Sequence, residues 1–222
     1  NEIIKLLGLK EGQRFIDMFG FKKEGNFHDE ATGDLNSKNI LFLENKLSHY
    51  AKTNDINIEK LKINIEKHRS TIFNKRKDRI HPLKDDKVLT DWNGLMIAAL
   101  ANGSKTLNKD IYMVAAKRAA DFILLKLRDN RGRLHKRYRN GLSGLQPHID
   151  DYAFLIWGLL EIYESNFDIS YLKSALDLSD ILVSDFLDKE AGGFYIGPEN
   201  GEQLIIRAKD SYDGAIPSGN AV

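Results

Sequence analysis

Two kinds of apolar stretch alternate along the chain. From Trp92 to Lys105, WNGLMIAALANGSK is apolar around most of its circumference, which predicts a helix buried on all sides. From Tyr112 to Arg128, YMVAAKRAADFILLKLR gathers Lys117, Asp121 and Arg128 into one arc, which predicts an amphipathic helix with a single wet face. The alternating, glycine-bounded NRGRLHKRYRNG then reads as strand or hairpin. The order starts over with an all-round apolar helix at Asp151–Tyr163. A striped helix follows at Tyr171–Leu187, with Lys173, Asp177, Asp180 and Ser184 on one face. GGFYIGPENGEQLIIRA is the second hairpin candidate, with Asn200-Gly201 as its turn.

The acids Asp91, Asp151 and Asp213 recur at about sixty residues, so the chain is a repeat of buried helix, amphipathic helix and small hairpin. In an open solenoid the inner helices line a wet surface and carry a polar stripe. These do not, so the pattern predicts an all-α fold, an α/α toroid with short β-hairpins between helix pairs. The last stretch, DGAIPSGNAV, reads as the start of a third inner helix. Before Arg79 the pattern is less regular. NEIIKLLGL and GQRFIDMFGF read as helix ends, SKNILFLEN as a short strand, and Ile58–Lys77 as a charged amphipathic helix on Ile58, Leu61, Ile65 and Ile72. The expectation is that residues 1–222 are a fragment of one barrel domain, with Asn1 an internal position and the open edge covered by further hairpins or by self-association.

Composition narrows the chemistry. The chain has 222 residues, of which 42% are hydrophobic and 29% charged, as in a soluble globular protein. Lys+Arg (33) and Asp+Glu (32) nearly cancel, so no global field recruits nucleic acid or an anionic membrane. The one basic run, KHRSTIFNKRKDR, has Phe73 alone for stacking and reads as a solvated helix face. There is no cysteine, hence no disulfide, thiolate zinc site or thiol redox chemistry. No apolar run approaches the ~20 residues that cross a bilayer, and a cytoplasmic location is the default expectation. The histidines show no H-x-x-x-H spacing and there is no phosphate-binding glycine loop, so no metal and no cofactor are expected, with an all-oxygen calcium site left open.

Several blocks resemble a known family in order and spacing: EGNFHDEATGDLNSKNILFL, RKDRIHPLKDDKVLTDWNGLMIAALA, HIDDYAFLIWGLLEIYE, GGFY and DSYDGAIPSGNAV. They resemble the thioredoxin-domain-containing, spermatogenesis-associated protein family from about Gly25 to Val222, most specifically at DDK-x-L-x-x-WNGLMI. The resemblance implies a six-hairpin glycosidase-like α/α barrel, similar to N-acylglucosamine 2-epimerases, of which this chain is a part. It also implies an N-terminal thioredoxin-like domain that this chain lacks.

The candidate chemistry lies in the polar clusters before the inner helices. Parallel inner helices begin at one end of a barrel, so these clusters are expected to share one pocket. Capping alone uses one acid per helix: Thr90 or Asp91, Asp150 or Asp151, Ser211 or Asp213. The surplus points to paired carboxylates of glycosidic type, with Asp86 and Asp151 as the catalytic pair. His148 stands before the acids and suits the proton transfer of a 2-epimerase. Asp85, Asp150 and Asp213 are the neighbouring binding acids. Trp92 and Tyr152 are candidate stacking platforms or ordinary core, and Asn93 and Asn220 hydroxyl partners or caps. The leading function is thus a carbohydrate-active domain, glycoside hydrolase or 2-epimerase-like, acting on a small molecule such as a sugar. The alternative is a non-catalytic binding or scaffolding domain serving a thioredoxin-like redox domain.

Overall fold

A computed structural model describes residues 2–222. The chain divides into two compact units, Asn1–Lys84 and Asp85–Val222. The first unit contains α1 (Glu2–Leu7), α2 (Leu9–Met18), the pair β1 (Phe27–His28) and β2 (Leu35–Asn36), α3 (Leu47–Thr53) and α4 (Ile58–Lys77). Helix α4 spans the residues the sequence predicts. Asn57 caps it, its side chain accepting the N–H groups of Glu59 and Lys60. Leu61 of α4 joins Met18 and Ala51 in a small core. The strand expected in SKNILFLEN does not form. The Asn26 amide takes the place of a partner strand, accepting the Ile40 N–H at 2.7 Å and donating to the Ile40 carbonyl at 2.9 Å.

The second unit holds the repeat. Its elements are β3 (Val88–Leu89), α5 (Thr90–Leu107), α6 (Asp110–Lys126), β4 (Arg137–Arg139), β5 (Leu142–Gly144), α7 (Ile149–Asn166) and α8 (Ile169–Phe186). The four helices fall within a few residues of the four the apolar pattern predicts. Strands β4 and β5 form a hairpin over Asn140-Gly141, both at positive φ (51° and 83°), the demand of a tight primed turn. The sequence reading did not place β3, which pairs with β4 to make a three-stranded antiparallel sheet.

Helices α5 and α7 are the inner pair and cross at glycine. A Cβ on Gly94 would stand 2.5 Å from the Phe154 carbonyl carbon, and one on Gly158 would stand 2.9 Å from the Gly94 oxygen. That closeness buries Ile97, Ala101, Leu155, Leu159 and Ile162 with Ile123 and Leu127 from the α6 side and Leu178 and Phe186 from α8. Burial is not all-round, which corrects the sequence reading. Trp92 is 62% exposed, Met96 57% and Trp157 39%, because each inner helix keeps a flank turned away from its neighbours in this chain.

One further expectation fails beyond α8. Gly192–Ala208 is not a hairpin ladder, since several of its carbonyl groups are taken by side chains and others by backbone N–H groups outside the segment. Asn220 Nδ2 binds the Phe194 oxygen at 2.9 Å, and Arg207 the Gly197 oxygen at 3.0 Å. One backbone bond, Ile196 N–H to the Ala208 oxygen, joins the two arms. The start of a third inner helix expected at DGAIPSGNAV is a single turn over residues 218–222: the Asp213 and Asp150 carboxylates accept the Ser218 and Gly219 N–H groups, and the Val222 N–H donates to the Ser218 oxygen. No helix among the described residues is long and apolar enough to cross a membrane.

Candidate functional site

At the N-terminal ends of α5 and α7 the repeat brings two aspartates onto one lysine. Asp151 is fully buried, and its carboxylate closes two helix ends at once. Oδ1 accepts the Asp91 N–H at 3.1 Å and Oδ2 the His148 N–H at 2.8 Å. Asp91 accepts the Trp92 N–H at 2.8 Å. Lys136, entering from the strand side, bonds Asp91 Oδ2 at 3.0 Å and lies 3.5 Å from Asp151 Oδ2. Thr90 completes the joint by donating its hydroxyl to the His135 carbonyl at 2.6 Å. The ammonium therefore ties both repeats to the three-stranded sheet.

The electrostatics follow from burial. Desolvation raises the Asp151 carboxyl to about 7, against the pull of Lys136 and of its N–H donors. Burial alone would lower Lys136, but Asp151 and Asp91 outweigh it and hold the ammonium above its ordinary value. Asp150, next along, is half-buried and accepts the Gly219 N–H at 2.8 Å; burial raises its carboxyl. His148 is lowered, first by burial and then by the Lys136 charge, with the acids Asp150 and Asp91 opposing. A carboxyl moved up and an imidazole moved down stand two residues apart.

Two clefts lie beside this joint and share Gln146 and Pro198. The larger, about 500 Å³, is lined by Arg133, His135, Tyr152, Asp185 and Asn200 among others. The smaller, about 170 Å³, is lined by His148, Ile196, Glu202 and Arg207. Tyr152 is pinned rather than free. Its oxygen accepts the Leu134 N–H at 3.0 Å, its ring packs against Phe186, and burial raises its hydroxyl to about 12. Arg133 grips Asp185 through two bonds of 2.8 and 3.2 Å on the wall of the larger cleft.

The residues expected from sequence are only partly gathered. Tyr152 and His148 occupy adjoining clefts, while Asn93 lines a third beside Ile111 and Phe122, its amide donating to the Leu89 oxygen at 2.7 Å. Asp85 pairs with Lys87 at the surface and is held below the usual carboxylate range by it. Asp86 is exposed and bonded to Arg139 at 2.7 Å. Asp86 and Asp151 thus do not form the expected acid pair in this structure, one lying on the surface and the other sealed from solvent. Asp213 binds the Ser218 N–H and hydroxyl, Asn220 ties Phe194 to Asp210, and Trp92 projects into solvent. Sequence reasoning missed Lys136, Arg133, Asp185 and Arg207, and weighed Asp91 as a cap only. Lys136 had a signal: it is the lysine of an alternating stretch that the hairpin places beside both helix starts. Among the described residues no group of three His, Asp or Glu could hold a metal ion.

Against known proteins, no family model matches the chain. It is 31% identical to human spermatogenesis-associated protein 20 over 226 residues, covering 96% of this chain and 29% of that protein. The rat protein of the same name gives 30% over the same shares. The chain is homologous to part of spermatogenesis-associated protein 20. An uncharacterised Caenorhabditis elegans protein, 30% identical, is matched over the whole of this chain and 32% of its own length. The chain thus spans about three-tenths of the length of these curated relatives. Among solved structures, a cellobiose 2-epimerase from Bacillus thermoamylovorans superposes with a TM-score of 0.52 at 19% identity, over 62% of this chain and 36% of that one. A D-mannose isomerase gives 0.50 at 20% identity, over 60% and 34%. The fold is that of an α/α barrel, in keeping with the helix repeat.

Proposed function

We propose that this chain is part of a carbohydrate-active α/α barrel of the epimerase or isomerase type, with His148 as the base that moves a proton beside a sugar carbonyl and Asp150 as the acid beside it. The observation that carries the reading is the convergence of these two groups at the start of α7. Burial moves the imidazole down and the carboxyl up, favouring the neutral form of each: an imidazole free to accept a proton and a carboxyl better able to hold one. His148 lines a cleft of about 170 Å³, about six liquid waters in volume, that adjoins a larger one. Between them they offer room for a small polar solute. The fold of the solved neighbours is consistent with such a substrate, though fold alone assigns no reaction.

Exchange tests the reading. The full chain is incubated in D₂O with a panel of aldoses and ketoses, and deuterium uptake at the carbon beside the carbonyl is followed by mass spectrometry. Uptake is expected in the wild type and should fall by about 10²–10⁴-fold in His148→Gln. No uptake with any sugar, or undiminished uptake in the variant, rejects the assignment.

The second reading, a binding or scaffolding domain, draws on a specific observation: the buried acids Asp91, Asp151 and Asp185 are all spent on N–H groups and cations. It predicts that the same assay is silent. Under either reading, further hairpins of a longer chain or a second copy of this one would cover the α5 flank that bears Trp92 and Met96. Light scattering of this chain reads the second copy as a dimer.

A further inference from the structure

Arg207 lines the smaller cleft beside His148, Gln146 and Glu202. Its guanidinium is fixed from two sides. Nη2 donates to the Gly197 and Asp185 carbonyl oxygens at 3.0 and 3.4 Å, and the guanidinium carbon lies 4.0 Å from the centre of the Tyr195 ring. That ring is anchored in turn, its hydroxyl donating to Asp188 at 2.9 Å. Asp188 is already committed to the Glu190 and Ala191 N–H groups and to the Lys209 ammonium at 2.6 Å.

What Arg207 lacks is a counter-ion. Arg133 and Arg139 in the same unit each hold a carboxylate, whereas among the described residues no carboxylate comes within ion-pair distance of Arg207. Glu202 lines the same cleft from its exposed rim and does not reach it. The Arg207 Nε is buried with no acceptor. A buried donor left unmade costs free energy, and a cation fixed without its anion costs more. A planar fork held in place by carbonyl oxygens and an aromatic face is pre-organised for an oxyanion.

We propose that Arg207 is an anion-binding residue, and that the sugar taken in these clefts carries a carboxylate or phosphate group seated on its guanidinium. This rests on the carbohydrate reading for the sugar and on Arg207 alone for the charge. Isothermal titration of the full chain with glucose, glucuronate and glucose 6-phosphate tests it. One of the charged sugars is expected to bind about tenfold or more tighter than glucose, and which one does so identifies the oxyanion. Arg207→Gln should erase that preference, and Arg207→Lys should retain part of it. Equal affinity for charged and neutral sugars overturns the proposal, as does a preference that survives in Arg207→Gln. If Arg207→Gln fails to fold, the Arg207 Nε–H resonance of the wild type decides: it moves on adding the preferred anion and not on adding glucose, and a stationary resonance overturns the site. The two readings fail separately. Deuterium exchange on neutral sugars without any anion preference removes the Arg207 site and keeps the enzyme. Anion binding through Arg207 without exchange on any sugar does the reverse.

Discussion

Replacing Asp151 by asparagine isolates the buried joint between the repeats. The side chain is fully buried and accepts two backbone N–H groups, with Lys136 beside it at 3.5 Å. Asparagine keeps one acceptor oxygen and turns an amide donor toward a second donor, a mismatch worth about 1–3 kcal/mol. The pH dependence separates this steric and polar loss from the charge. Burial lifts the folded-state carboxyl from 3.8 to about 7, so folding disfavours the ionised form. The stabilisation associated with the protonated form is fully present below the unfolded value and is lost as pH rises through the folded one. At about 1.4 kcal/mol for each tenfold change in acidity, the ceiling on that loss is about 4 kcal/mol. The variant does not titrate there. The stability difference between wild type and Asp151→Asn should therefore be largest below about pH 4 and shrink as pH rises through about 7. Urea unfolding at pH steps across that window, followed by circular dichroism, measures it. A difference that is flat, or that grows with pH, would mean that Lys136 and the two N–H groups stabilise the carboxylate more than burial penalises it, and would refute the reasoning.

Gly94→Ala should lower the urea midpoint by a stability loss at the upper end of about 1–3 kcal/mol, because its Cβ would meet the Phe154 backbone and not a movable side chain. Trp92→Ala should shift stability by only about 0.5 kcal/mol while removing the most solvent-exposed tryptophan emission; a larger loss would place Trp92 in the core after all. Asp188→Asn should destabilise at pH 7 and progressively less as pH falls, since Lys209 first and then the Ala191 and Glu190 N–H groups hold that carboxyl far below its usual range; thermal melts at pH 7 and pH 3 compare the two.

Four helices of the second unit were legible because their signals are local. All-round apolarity at Trp92–Lys105 and Asp151–Tyr163, and one polar stripe in each partner, describe helices whose spacing sets their burial. NRGRLHKRYRNG was legible only as a glycine-bounded strand or hairpin; its Asn140-Gly141 end forms the turn between β4 and β5. Elements that depend on distant side chains were not legible. SKNILFLEN has the composition of a strand, yet Asn26 supplies its bonds from fourteen residues away. The turn signal at Asn200-Gly201 is outweighed by Gln146, Asn220 and Arg207, which occupy the groups a ladder would use. Exposure of Trp92, Met96 and Trp157 was likewise unreadable, because an apolar pattern records which face is meant to be covered and not by which neighbour.

The candidate site was half legible, and the missing half decides its chemistry. Counting acids before each inner helix pointed to the end of the repeat where Asp91 and Asp151 meet. Counting could not say which acids remain free, because that depends on cations and N–H groups remote in sequence. Lys136 and the His148 and Asp91 N–H groups consume Asp151, and Arg139 holds Asp86 at the surface. Of the acids expected to be catalytic, Asp151 is thus engaged by backbone N–H groups and Lys136, and Asp86 by Arg139. A carboxylate that caps two helices and binds an ammonium has few lone pairs left for a substrate, whereas Asp150 and His148 keep partial exposure and shifted acidity in the same turn. Under the proposed epimerase reading, chemistry at this end of the repeat therefore falls to Asp150 and His148. By the same logic, the unpaired Arg207 says more about a ligand than any of the paired acids around it.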